Sequence, residues 1–450
     1  MSKNQNSSTL TKLRKHLNAD ALFATIRGGF SKVNDYRNNH DKISLVDVLM
    51  SAFAMFSLKD PSLLRFDERR LNEFEAQNLK KIFGITNIPA DSTIREALDP
   101  VNPELFRPVF KAIFRNLQRG KALEQMTFPG GYHLIALGGT GSYSSENIGS
   151  ASCQTKVSKK TGRTVYHQQM LGAAIVCPGK IEVIPLMPEM IIPQDGTNIN
   201  DCKRNASRRW LTKFRRDHPH LKVVIVENAI IPNASHILDI KDHNCKFILG
   251  VKPGDHIFLH EHFSKARDEG RVSSYKCIDM EDSETRHDFE FINQIPLNKS
   301  NQDILVNFLV YQGFGPKGFQ RLNWITDFTL THDNVYQIMR GGRARWRIEN
   351  ETFNTLKNQG DNLEHNFGLE YQHLSENLAH LMMLAFLVDQ VLQLACPLFK
   401  ANLKKAKRKK YFWEYQRAPF RFIELDSMEM LYKALLYGYE IQVPIIKDHS

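Results

Sequence analysis

The sequence predicts an α/β (α+β) protein: one mixed sheet with flanking helices, a helical domain before it, and a β-rich insertion ahead of a late helix. Two observations carry that prediction. Apolar residues recur at helical spacing through the first 125 residues, and at Phe128-Pro129-Gly130-Gly131 the texture turns to short β-type runs. From there the runs follow the order three strands, helix, strand, helix, strand.

In the N-terminal region the helical spacing is clearest in SLVDVLMSAFAMFSL and LFRPVFKAIFRNLQ. Asp91-Ser92 offers an N-cap before TIREAL, and Pro103-Glu104 suits the start of the next helix. The first strand, YHLIAL, is expected to stop at the glycine-rich Gly138-Gly139-Thr140-Gly141. TVYHQQMLGAAIV and KIEVIPL follow, parted by Pro178-Gly179. NASRRWLTKFRRDH reads as a helix, and HLKVVIVENA has the unbroken apolar run of a buried strand. A helix around Ala234 to Ile240 and a fifth strand, KFILGV, complete the set. That is the order of a ribonuclease H-like mixed sheet. From about 254 to 318 the chain is polar with strand-like pieces such as DILVNFLVYQG, as in an insertion into the core. RARWRIENETFNTLKNQG and LSENLAHLMMLAFLVDQVLQL close the pattern as helices, the second apolar over most of its circumference and hence buried.

A length of 450 residues favours two or three structural units, drawn from sequence as 1–125, 126–395 and a basic tail, 396–450. Hydrophobic residues at 42% and charged residues at 24% exclude wholesale disorder. Net charge is +11, and Lys400, Lys404, Lys405, Lys407, Arg408, Lys409 and Lys410 cluster within a short run, which favours a polyanionic partner. The cysteines Cys153, Cys177, Cys202, Cys245, Cys277 and Cys396 form no CxxC-type pair, so neither a zinc knuckle nor a disulfide framework is expected. The polar start, MSKNQNSSTLTKLRKHL, lacks a signal peptide's apolar stretch, and the run Leu381 to Val388 ends at Asp389, short of a membrane span. A soluble, cytoplasmic protein without membrane attachment is the expectation.

The segment GGRARWRIENETFNTLKNQG, followed by EHNFG, resembles the C-terminal signature of bacterial insertion-sequence DDE transposases. Arg345, Trp346, Ile348, Glu349, Phe353 and Lys357 stand at its marked positions, and LQRGKALEQ, PLMPEM, DGTNINDCKRNASRRWL and LNWITDFTL extend the likeness over roughly residues 40 to 395. The resemblance implies a ribonuclease H-like core that cleaves and transfers transposon ends with magnesium or manganese ions held by two Asp and a Glu. It also implies double-stranded DNA as partner, a homodimer when assembled on DNA, a nucleoid-associated location, and an N-terminal domain that contacts DNA.

Glu349 matches the Glu, and on a helix it shares a face with Arg345, four residues earlier. Glu351 is its competitor. The two Asp positions depart from the pattern. Where the family reads Leu-Asp-Gly-Thr-Gly, this chain has Leu137-Gly138-Gly139-Thr140-Gly141, and no Asp lies between Asp99 and Asp195. The Asp closing the fourth strand is Asn228, and the adjacent Glu227 should face away because side chains alternate along a strand. Lys203 stands where the family carries an acid. Metal binding in this chain is therefore doubtful. An Asp returned to position 138 should be tolerated unless Gly138 has positive φ.

Arg343, Arg345, Arg347 and Lys357 are the expected phosphate contacts, with Arg340 more simply a surface charge. His167 reads as a hydrogen-bonded structural histidine, and His365 is open between structure and site. Three readings follow: a transposase eroded at its catalytic acids, a non-catalytic DNA-binding relic such as a repressor, or a nuclease using Asp195, Asp201 and Glu349.

Overall fold

Short apolar runs separated by turns can bury both faces only inside a sheet, and here they pair into one of ten strands. The structure is a computed structural model describing residues 15–37, 43–147, 149, 153–158, 161–196, 199–228, 233–280, 282–316, 318–369 and 372–438. It divides into two compact units, Leu123–Thr355, and Met1–Ala122 joined with Leu356–Ser450.

The Leu123–Thr355 unit holds β1 (His133–Ser145), β2 (Gln154–Val157), β3 (Thr164–Val176), β4 (Ile184–Ile191), β5 (Val223–Glu227), β6 (Lys246–Gly250), β7 (Ser273–Ile278), β8 (Arg286–Asn298), β9 (Asn301–Gly315) and β10 (Gly318–Thr326). Their order is β2-β3-β1-β5-β6-β10-β9-β8-β7, with β4 also on β3. β3 is antiparallel to β1, and β4 to β3, whereas β5 runs parallel to β1 and β6 parallel to β5. This is the ribonuclease H-like arrangement. Helix Ile199–Asp217 packs on β4 and β3, and Val335–Ala344 on β5 and β6.

Three local expectations change. β1 does not end at Leu137. It continues through the glycines because their backbone groups pair with Gly172, Leu171 and Met170 of β3. The third strand begins at Ile184 rather than Lys180. The late insertion is part of the sheet itself, since β10 pairs antiparallel with β6 and β9, β8 and β7 follow by successive pairing.

In the other unit, helix Leu45–Ser57 is buried on nearly every side because its sequence offers one charge, Asp47, whose carboxylate accepts the Thr86 and Asn87 N–H groups at 3.2 and 3.1 Å. It packs against Leu374–Ala395. By length and composition that helix is apolar enough to cross a membrane, and 94% of its apolar window is buried within the protein. Lys59, with no exposed side-chain surface, reaches Asp361 and Asp389 at 2.6 Å each, and Arg69 binds Asp60 and Glu75 at 2.7 and 2.6 Å. Of the residues drawn from sequence as a basic tail, 397–437 are largely helical, and those after 438 lie outside the described residues. Helices Pro397–Ala406, Lys409–Phe420 and Met428–Tyr437 bury Phe399, Phe412, Trp413 and Tyr432 against one another, which supplies the apolar contact a helix needs in water.

Candidate nucleic-acid and catalytic site

The site is built on two adjacent parallel strands. His133 to Ala136 of β1 pair in register with Val223 to Val226 of β5. Gly138 and Asn228 each lie two residues past the last pair, and side chains two apart share a strand face. On the other flank of β1, Gly138 stands directly opposite Gly172 of β3. Residue 138 contributes no side chain, and Asn228, half-buried, contributes a neutral amide.

The helix carrying Glu349 is not regular. Val335–Ala344 is α-helical, Ile348–Phe353 forms a π-helical turn, and Asn354–Asn358 resumes the α pattern. A π-turn inserts one residue per turn and changes which side chains face the sheet. The turn packs on β1 and β3, where it seats Phe353 and Ile348. A Cβ placed on Gly138 would lie 3.0 Å from Phe353 Cε2 and 3.3 Å from Ile348 Cγ2. One placed on Gly172 would meet the same ring at 2.6 and 2.8 Å. The paired glycines form a notch, and the Phe353 ring fills it. Gly138 lacks positive φ, but a Cβ there is tight, so the Phe353 ring has to give way slightly to seat an Asp.

Glu349 pairs with Arg345 at 3.2 Å, the i,i+4 contact its spacing predicts, and Glu351 pairs likewise with Arg347 at 3.1 Å. The two pairs are chemically alike, so ion pairing does not separate the competitors. Arg345 is the buried member, with its side chain 5% exposed, its guanidinium carbon 4.7 Å from the centre of the exposed Trp346 ring, and its Nη2 without a hydrogen-bond partner. Arg343 is exposed and donates to the Tyr311 hydroxyl at 3.4 Å. Lys357 belongs to the other unit, where it pairs with Glu364 at 2.6 Å. Arg340 lies over Tyr336 at 5.9 Å.

Other acids are engaged elsewhere. Glu227 is fully buried and 2.7 Å from His236 Nε2 on the next helix. Asp195 is buried and bound by Arg209, which also takes Glu189 at 2.9 Å. Asp201's side chain lies outside the described residues. Lys203 approaches β1 from the helix Ile199–Asp217, its Cε 2.7 Å from where a Cβ on Gly139 would stand. His167 is half-buried on β3, where burial lowers its pKa and a hydrogen bond to the Val165 backbone acts against that, while its Nδ1 has no partner. His365 is exposed and meets Phe367 edge-on at 4.8 Å.

A hard divalent cation takes several oxygen ligands, chiefly carboxylates and waters. A glycine, an amide and one carboxylate already facing a guanidinium do not fit that requirement. Among the described residues, no three His, Cys, Asp or Glu side chains gather as a metal site. Sequence reasoning missed the notch. Its only signal was a glycine inside the otherwise apolar MLGAAIV, which marks a close approach of another group.

No family model matches the chain, and no curated protein matches its sequence. Among solved structures, it is similar to the cryo-EM structure of a piggyBac transposase synaptic complex with hairpin DNA. That similarity has 10% identity and a TM-score of 0.36, and it covers 94% of this chain and 79% of the other.

Proposed function

We propose that this protein derives from an insertion-sequence DNA transposase and now binds DNA without cutting it. The observation that carries this reading is the Phe353 ring in the Gly138–Gly172 notch. It fills the place where the DDE pattern asks for a carboxylate, on a helix that retains the transposase signature through Arg345, Trp346, Ile348 and Glu349. Metal-assisted phosphodiester cleavage needs ligands that stabilise both the attacking and the leaving oxygen, and losing several kcal/mol of that stabilisation slows a reaction tenfold for every ~1.4 kcal/mol. DNA binding needs only cations. Arg343 is exposed, Arg347 is half-buried beside it in sequence, and the chain carries a formal net charge of +11.

Two features support binding over the nuclease alternative. Asp195 is bound by Arg209, which leaves it a poor metal ligand. Glu349 and Glu351 each neutralise an Arg rather than standing free. The test is equilibrium binding of a duplex carrying the element's own ends, without metal, across a salt series. The expected result is binding that weakens steeply with salt, and a slope reduced by about 0.9 in Arg343→Gln for a lost phosphate contact. Binding indifferent to salt would end the proposal.

A further inference from the structure

The charge of the C-terminal region is not spread evenly over its three helices. Lys404 and Lys405 close the helix Pro397–Ala406, Lys407 sits at the turn with φ 63°, and Arg408, Lys409 and Lys410 open the helix Lys409–Phe420. Lys400, Lys404, Lys405, Lys407, Arg408 and Lys410 are exposed. Lys405 is occupied, its Nζ donating to the Leu435 and Leu436 carbonyls at 2.7 and 3.1 Å. Lys400, Lys404, Lys407, Arg408 and Lys410 make no ion pair among the described residues. Glu414 is the one acid within the helix Lys409–Phe420.

Two aromatic rings share this surface. Tyr411 and Tyr415 are 43% and 53% exposed, whereas Phe412 and Trp413 on the same helix are buried. Four residues apart, the tyrosines lie on one helix face, separated by about 6 Å along the axis at ~1.5 Å per residue. The Arg408 guanidinium is 5.8 Å from the centre of the Tyr411 ring, so charge and ring are held together.

We propose that this basic–aromatic corner binds single-stranded DNA, with its cations on the phosphates and Tyr411 and Tyr415 stacking unpaired bases. The inference rests on the DNA-binding reading and adds both a second contact surface and a strand preference. Exposed cations alone would suit any duplex. The rings are what discriminate, because a base offers its face for stacking only when it is unpaired. A solvated helix end explains the lysines but leaves two neighbouring exposed rings on one face without a role.

The experiment uses the full-length protein with a fluorescent deoxythymidine oligonucleotide and, separately, a duplex of the same length, followed by anisotropy over a salt series. Wild type is expected to bind both. Tyr411→Ala and Tyr415→Ala should each weaken single-strand binding about fivefold or more and leave duplex binding unchanged, while Tyr→Phe at either position retains the wild-type affinity. Lys407→Gln and Arg408→Gln should each lower the single-strand salt slope by about 0.7. All four residues are exposed, so unchanged melting curves will verify folding. Wild type that binds duplex normally while both alanine variants bind the oligonucleotide unchanged overturns this inference and leaves the DNA-binding reading standing. Wild type that binds neither DNA overturns both.

Discussion

Two places in the molecule differ in whether a carboxylate is buried there at all. In the helical unit, Asp361 is buried and Asp389 partly so, both held by Lys59, and Asp60 and Glu75 are buried and held by Arg69. In the sheet unit, where the resemblance implies two Asp residues, positions 138 and 228 hold a glycine and an amide, and the Phe353 ring packs into the Gly138–Gly172 notch. A buried carboxylate is stable only with a cation, a metal or hydrogen bonds to meet its charge. The first region supplies a permanent cation from its own chain. The second would depend on metal ions, and without carboxylates to bind them apolar packing is the consistent alternative. The folded core therefore does not depend on a carboxylate at residue 138 or 228.

The largest effect that would break this comparison lies in the helical unit. Lys59→Met should destabilise the protein by about 3–5 kcal/mol, because it leaves Asp361 and Asp389 buried together without their cation. Urea unfolding followed by circular dichroism measures it, and a loss below about 1 kcal/mol would mean that water meets those charges. Phe353→Ala comes next, at a similar ~3–5 kcal/mol, since it empties the notch. Gly172→Ala should cost about 1–3 kcal/mol by overpacking against the same ring. Combined with Phe353→Leu its effect should shrink, because the two positions are in contact and their energies are not additive.

The notch also explains why much of the strand order was legible in sequence while the site was not. β5 and β6 announce themselves as VVIVE and KFILG, local apolar runs whose pattern is complete within a few residues. Gly172 and Phe353 are distant in the chain, and nothing near either one encodes their contact. The π-turn is equally silent, because the apolar residues of RWRIENETF suit a regular helix as well as an interrupted one. β1 was cut short for a local reason, in that Gly-Gly-Thr-Gly reads as a turn until a partner strand takes its hydrogen bonds. The C-terminal helices were hidden by their lysines, whose charge dominates the composition while Phe399, Phe412 and Trp413 determine the packing. Glu349 and its pairing with Arg345 were legible, since i,i+4 spacing is a local property.

The smallest effect is one of pH. Burial holds Asp389 up at about 6, above its ordinary 3.8, with Lys59 acting against that rise. The folded state then binds a proton more tightly than the unfolded chain. This contribution to stability is complete below about pH 4, declines as pH rises to about 6, and is flat above. Unfolding midpoints taken from pH 4 to 7 should show that decline, and Asp389→Asn should remove it. A rise over the same window would contradict a raised Asp389 pKa in the folded state.

On the proposed reading, Phe353 fills the Gly138–Gly172 notch and the site does not cut DNA. Its most direct test is strand cleavage by the purified wild-type protein on a duplex carrying the element's own ends, with magnesium or manganese. Binding is measured on the same sample. On this reading the DNA is bound and remains intact. Gly138→Asp with Asn228→Asp should stay inactive while Phe353 keeps its ring in the notch, and any metal-dependent activity should require a smaller residue at 353 as well. Efficient metal-dependent cleavage by the wild-type protein would contradict it, because the reacting phosphate would then be served by acids other than those the DDE pattern designates.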